Sequence, residues 1–223
     1  MAMGLFIVLE GFDFSGKTKQ QEMLSSWFKK QNKYNDILST QEPTRKAEEI
    51  IRILKEETDP NSVNCSKMAQ GYINDRIQHS ENLILPSLNA GAIVICDRYR
   101  MSTDAYQWAQ GIPLQKLLDM QNHSSIIQPD LTILFDIDVE TFLKRAKRAK
   151  KYHGRGEELF EKREFAKIAI ENYRTLANSE YGDNPERYGE IVVIDGKPKE
   201  DVVHTNVIDA VDPIYDLWCD YNK

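Results

Sequence analysis

The chain has 223 residues, of which 41% are hydrophobic and 29% charged, and a net charge of -6 at pH 7. That length buries one α/β core well and two poorly, so a single domain over 1–223 is expected. The composition speaks against wholesale disorder, and the acidic balance against a broad phosphate-backbone footprint, so no nucleic-acid partner is expected.

Taken in chain order, the first element is the apolar run "LFIVL" (5–9), which reads as a buried strand. It leads into "GFDFSGKT", where Gly11, Gly16, Lys17 and Thr18 match the G-x4-G-K-[ST] phosphate loop, and then into a helix ending near Trp27 and Phe28, both read as packing residues. In such a loop the glycines let the backbone turn so that N–H groups point inward, and the helix adds its positive end. Lys17 reaches the β- and γ-phosphates and the Thr18 hydroxyl ligates Mg²⁺. No NKxD-type guanine motif follows, which disfavours a GTPase.

A second strand is placed at "DILST" (36–40), before "QEPTR" (41–45). Tyr72 and Arg76 are four apart in the next helical stretch and share a face. They suit a nucleobase clamp, a stacking ring beside a guanidinium; the alternative is a half-buried tyrosine with a solvated arginine. The strand "AIVIC" (92–96) ends in Asp97 and Arg98, which fit either a metal and phosphate site or a structural ion pair. Then come "LTILFDI" (131–137), the basic run 144–158, a helix marked by Phe165, Ile168, Ala169, Tyr173, Leu176 and Ala177, the strand "IVVI" (191–194), and a tail, 209–223, longer than the last helix needs. This alternation predicts a parallel sheet covered on both faces, with ligands at the carboxyl ends of its strands.

No apolar stretch approaches the roughly 20 residues of a membrane span, which gives a cytoplasmic address and no membrane partner as expectations. Cys65, Cys96 and Cys219 read as reduced thiols, and four scattered histidines offer no zinc spacing.

Several pieces resemble, jointly and over nearly the whole chain, the thymidylate kinase family of P-loop nucleoside monophosphate kinases: "EGFDFSGKT", "QEPTR", "YINDRIQH", "CDRYRMSTDAYQ", "PDLTILFDID" and "RGEELFEKREF". The resemblance implies a P-loop NTPase fold, a five-stranded parallel sheet with helices on both faces and a mobile lid at about 148–160. It also implies transfer of the γ-phosphate of ATP, with Mg²⁺, to dTMP, in a homodimer. Gly11, Phe12, Asp13, Phe14, Ser15, Gly16, Lys17, Thr18 and Lys19 would hold ATP, and Thr18 with Asp97 the metal. Arg98, helped by Arg45, would hold the acceptor phosphate, Tyr72, Arg76, Thr103 and Gln107 the base, Tyr106 the sugar and Asp13 its 3′-hydroxyl.

Some family members carry a catalytic arginine inside the phosphate loop and others on the lid. Phe14 occupies the loop position here, so Arg155 is expected to act from the lid, with Arg148 and Arg163 as substitutes; the other reading of 144–158 is a solvated helix and loop. Tyr72 stands where phenylalanine is commonest, and "QEPTR" replaces a more glycine-rich version, which leaves base selectivity open. The alternatives are a deoxynucleoside monophosphate kinase of broader or shifted specificity and a nucleotide-binding module without catalysis.

Overall fold

The structure is a computed structural model that describes residues 4–31, 36–56, 64–153, 162–178 and 184–222. Its elements, in chain order, are β1 (Leu5–Glu10), α1 (Lys17–Gln31), β2 (Ile37–Gln41), α2 (Glu48–Glu56), α3 (Cys65–His79), a π-helical turn (Ser80–Ile84), α4 (Leu85–Asn89) and β3 (Ile93–Asp97). They continue with α5 (Arg100–Ala109), α6 (Leu114–Met120), β4 (Leu131–Asp136), α7 (Val139–His153), α8 (Arg163–Ala177), α9 (Asn184–Tyr188), β5 (Glu190–Asp195) and α10 (Glu200–Tyr221).

Among the described residues the five strands form one sheet in the order β2-β3-β1-β4-β5, and every pairing is parallel. This is the expected P-loop NTPase arrangement, and the strands lie within a residue of where the apolar runs put them. The three inner strands are apolar on both faces because helices cover both. On one face Leu24 and Phe28 of α1 and Val203, Val207 and Val211 of α10 meet Ile7, Leu9, Ile95 and Ile133. On the other, Met68 of α3, Ala105 and Tyr106 of α5 and Ala169 and Tyr173 of α8 close over Phe12 and Leu134. Within α8, however, Ile168 points outward and is 50% exposed, although its apolar character suggested a core position.

The tail from 209 to 222 is also explained: it continues α10 rather than trailing from it. Tyr215 packs edge-on against Phe28 at 5.2 Å and Trp27 at 5.7 Å, and stacks on Trp218 at 5.9 Å. These rings extend the seal between α1 and α10, which supports the helix that starts at the phosphate loop.

The strand order reverses beside β1, whose neighbours are β3 and β4, so the loops leaving β1 and β3 part at the carboxyl edge of the sheet and open a crevice between them. At the opposite edge Gly189 has φ +70°, and a Cβ there would lie 2.1 Å from the Pro129 carbonyl oxygen. Gly189→Ala is therefore expected to destabilise the fold by about 2 kcal/mol or more, since it adds left-handed strain to a backbone clash. The midpoint of chemical denaturation measures this.

Candidate active site

The phosphate loop forms because its sequence supplies what a tight turn needs. Gly11 (φ 137°) and Gly16 (φ 105°) take conformations that L side chains rarely adopt, and a Cβ on Gly11 would meet the Phe135 carbonyl at 2.6 Å. Phe14 is also left-handed (φ 61°). Helix α1 begins at Lys17 with no acidic residue in its first turn, so its positive end stays available to an anion.

Lys17 is buried and folded back on the loop, where its Nζ donates to the carbonyls of Gly11 (3.0 Å) and Phe12 (2.9 Å). Burial first and Arg98 second push its pKa down to about 8, against the pull of Asp97, Asp13 and Glu10. Thr18 Oγ1 donates to Asp97 Oδ2 at 2.7 Å, while Asp97 Oδ1 is buried with no partner among the described residues.

Arg98 follows β3 in the left-handed region (φ 70°), its N–H bound to Leu9 O at 2.9 Å. The side chain pairs closely with Asp13, donates to Ser102 Oγ at 3.2 Å and lies 5.3 Å over the Tyr106 ring. Tyr106 in turn donates to Asp13 Oδ2 at 3.0 Å and stacks on Phe12 at 5.2 Å. Nearby Tyr106 and Asp13 hold the Arg98 guanidinium well above its ordinary pKa despite burial, so it stays charged.

Arg76, on α3, is only 1% exposed, which excludes the solvated arginine that was the alternative reading. Its Nε donates to Glu42 Oε2 (2.8 Å), one terminal nitrogen to Tyr99 O (2.9 Å) and Thr103 Oγ1 (3.0 Å), and the other closely to Gln121. Glu42 also contacts His79 Nδ1 at 3.1 Å, and Gln121 donates to Asp104 Oδ1 at 2.6 Å, so the guanidinium is fixed from several sides. Tyr72 is half-buried against the cluster containing Phe12 and Tyr106, and burial raises its phenol pKa. Gln107 donates to Gln110 at 3.0 Å, but its own carbonyl oxygen is buried and unpartnered among the described residues.

One cavity of about 460 Å³ gathers most of these groups. Asp13, Phe14, Gly16, Lys17, Thr18 and Lys19 line it on one side, Tyr72, Arg76, Thr103, Tyr106 and Gln107 on the other, with Asp97 and Arg98 between. Gly11, Phe12 and Ser15 are buried within the loop itself, with the Phe12 and Ser15 side chains off the cavity wall. Arg45 is not brought to this cavity; it is exposed and lines a neighbouring one of about 460 Å³ with Thr44 and Lys46. Arg155 and most of the 148–160 segment lie outside the described residues. Arg163 is taken up by Glu140 at 2.6 Å, and Arg148 is exposed on α7.

Sequence reasoning missed Arg145, which it counted with the basic run. Its guanidinium donates to Phe14 O (2.9 Å) and Gly196 O (2.8 Å), tying the phosphate loop to the turn after β5. Glu10 and Glu42 were also missed, although a carboxylate ending a buried apolar strand was a readable signal for the first. Among the described residues no helix is long and apolar enough to cross a membrane.

The thymidylate kinase family model matches residues 9–207. A probable thymidylate kinase of Pyrococcus abyssi is 36% identical over 93% of this chain and 96% of its own length. The thymidylate kinase of Wolbachia pipientis subsp. Culex pipiens is 36% identical over 88% of this chain and 98% of its own. A probable thymidylate kinase of Pyrococcus horikoshii reaches 42% identity over 65% of this chain and 70% of its own. With the phosphate loop, the strand-end Asp97 and Arg98 and the Tyr72–Arg76 pair on one cavity, these matches establish that the chain belongs to the thymidylate kinase family, whose reaction is transfer of the γ-phosphate of ATP to dTMP, giving dTDP and ADP.

Proposed function

We propose that the 460 Å³ cavity holds the two nucleotides of this reaction end to end, ATP on the phosphate loop and dTMP between Arg98 and Arg76. One observation carries the assignment: Lys17, the Thr18–Asp97 pair and Arg98 share a cavity with an aromatic and guanidinium pair suited to a base. ATP is taken by the loop from Gly11 to Lys19, its phosphates by the N–H groups of residues 11–17, and Lys17 exchanges two carbonyl contacts for phosphate oxygens. Arg98 aligns the acceptor phosphate, one of whose oxygens attacks the γ-phosphorus as the bond to the β–γ bridging oxygen breaks and ADP leaves.

The unpartnered Asp97 Oδ1 beside the Thr18 hydroxyl is an oxygen donor set that fits Mg²⁺. When bound, the ion neutralises charge on the β- and γ-phosphate oxygens. For the nucleoside, Tyr72 stacks on the base, Arg76, Thr103 and Gln107 meet its polar edge, Tyr106 lies under the sugar and Asp13 faces the 3′-hydroxyl. The Thr44 N–H donates to Asp75 Oδ2 at 2.7 Å and holds the turn after β2 with Arg45 on the neighbouring cavity, so Arg45 has no part in this assignment. Phe14 stands where other family members carry an arginine in the loop, so Arg155, on a lid at about 148–160, is assigned to the migrating phosphoryl group. The working unit is one domain over 1–223, paired as a homodimer in the cytoplasm.

The test is ADP release with a panel of deoxynucleoside monophosphates and UMP as acceptors, where dTMP is expected to lead by about tenfold or more in kcat/KM. A flat profile would move the reading to a broader deoxynucleoside monophosphate kinase. Lys17→Ala and Arg98→Ala are each expected to lower kcat/KM about 10²-fold or more with unchanged circular dichroism. Arg155→Ala should slow single-turnover transfer at saturating nucleotides by about 10³-fold, and an unchanged rate would remove it from the chemistry.

Lys17 also sets a pH dependence. In the free enzyme it loses its proton as pH rises through about 8, so kcat/KM for ATP should fall above that pH. Bound phosphates hold the proton, so kcat should stay flat over the same range. Stability runs the other way: between about 8 and the ordinary 10.5 the unfolded chain binds more protons, so the Lys17 contribution improves as pH rises through that window.

A further inference from the structure

We infer that Glu10 is a positioning residue that fixes Arg98 for the acceptor phosphate; this rests on the assignment of Arg98 to that phosphate made above. Glu10 ends β1, is fully buried, and lies outside the ATP and dTMP contacts already assigned. A carboxylate at such a place is costly to bury unless its oxygens are used. They are used completely, and three of the four contacts fall on the start of α5.

Helix α5 starts directly after Arg98 and Tyr99, and Tyr99 at its N-cap provides no side-chain cap. Glu10 does this from across the sheet: its Oε1 accepts from the N–H of Tyr99 at 2.8 Å and of Ser102 at 3.1 Å. A carboxylate at a helix N-terminus is favoured by both the orphan N–H groups and the dipole. Together with the Arg98 N–H on Leu9 O at 2.9 Å, these bonds hold the backbone on both sides of Arg98, the residue at φ 70°.

The second oxygen acts on the side chain. Ser102 Oγ donates to Glu10 Oε2 at 2.6 Å, and the Tyr173 hydroxyl of α8 lies 2.8 Å from Ser102 Oγ and 3.2 Å from the same Glu10 oxygen, its one hydrogen shared between them. A serine hydroxyl has one hydrogen, and Glu10 takes it, so a Ser102 lone pair is left for Arg98, which donates to it at 3.2 Å. Glu10 thereby sets the polarity of the hydroxyl that steadies the guanidinium. Burial raises the pKa of Glu10, and the Ser102 hydroxyl first and Arg98 second oppose that rise, so the coupling to Arg98 is electrostatic as well as steric.

Glu10→Gln keeps the shape but puts an amide NH2 donor where one of the two acceptor oxygens stood, and removes the charge that holds the Ser102 hydrogen. The expected result is a roughly tenfold rise in KM for dTMP with KM for ATP unchanged, the size of a lost charge-assisted hydrogen bond. Ser102→Ala removes the hydroxyl link while leaving both N–H contacts to Oε1, and should raise KM for dTMP about threefold or more. It carries the test if Glu10→Gln fails to fold. On an Arg98→Ala background, Glu10→Gln should change dTMP binding, measured by calorimetry, less than twofold.

Equal effects on both nucleotides, a lower kcat with both KM values unchanged, or additive losses in the double variant would each overturn the positioning role. If Arg98→Ala is impaired while Glu10→Gln and Ser102→Ala bind dTMP normally, the inference about Glu10 alone fails. If Arg98→Ala itself binds and turns over dTMP normally, the assignment of Arg98 is what fails.

Discussion

The ammonium of Lys17 lies beneath the phosphate loop on the carbonyls of Gly11 and Phe12, a buried cation held by dipoles. Carbonyls compensate desolvation only in part, and the drop of its pKa to about 8 expresses the remainder. Arg98 adds repulsion from the other side of the crevice, and its own charge is balanced by Asp13. Asp97, Asp13 and Glu10 oppose both cations, so the depressed pKa of Lys17 marks its desolvation rather than a surplus of positive charge, and phosphate oxygens brought onto the ammonium relieve that desolvation. Binding energy is in this sense stored in the arrangement of charges before either ligand arrives.

Such an arrangement persists only if its frame resists rearrangement, and β1 is that frame. Its apolar residues are buried from both faces, so the loop that follows begins from a strand that cannot shift without opening both halves of the core. The α1–α10 seal, with Tyr215 across Phe28, holds the helix whose N-terminus faces the phosphates. Arg145 adds a direct brace from α7 to the loop at Phe14. The packing and the electrostatics are thus one problem: the core sets distances that the charges alone would not choose.

How much of this was legible in the sequence depended on whether the signal was local. Apolar runs placed five strands within a residue of their places: the three inner ones are buried on both faces and need no partner information to be recognised, and the two half-exposed edge strands kept enough β-branched and apolar residues to be read. The phosphate loop was legible because its glycines and helix start are contiguous. Tyr72 and Arg76 were legible as a pair through helical spacing, but not the burial of Arg76, which depends on Glu42 and Gln121 from distant segments. Arg45 was assigned from the family resemblance alone, and the turn after β2 directs it to a neighbouring cavity. Ile168 and the tail failed for the complementary reason: helical periodicity says which residues share a face, and only tertiary contacts say what that face meets.

Arg76 shows how the network bears on base choice. A guanidinium has five N–H donors, and four are committed to Glu42, Gln121, Tyr99 and Thr103. One donor remains, and its direction is fixed by partners that cannot yield without leaving a buried group unsatisfied. In the proposed pocket, a pyrimidine with a carbonyl at position 4 accepts that hydrogen, and its N3–H finds an acceptor in the unpartnered oxygen of Gln107. A cytosine presents a donor and an acceptor in the reverse order, so both protein groups would face their own kind. Thymine and uracil present the same polar edge, so the hydrogen-bonding groups cannot separate them; that discrimination falls to the shape of the cavity around the 5-methyl group, where a hydrophobic contact is worth only about 1–3 kcal/mol.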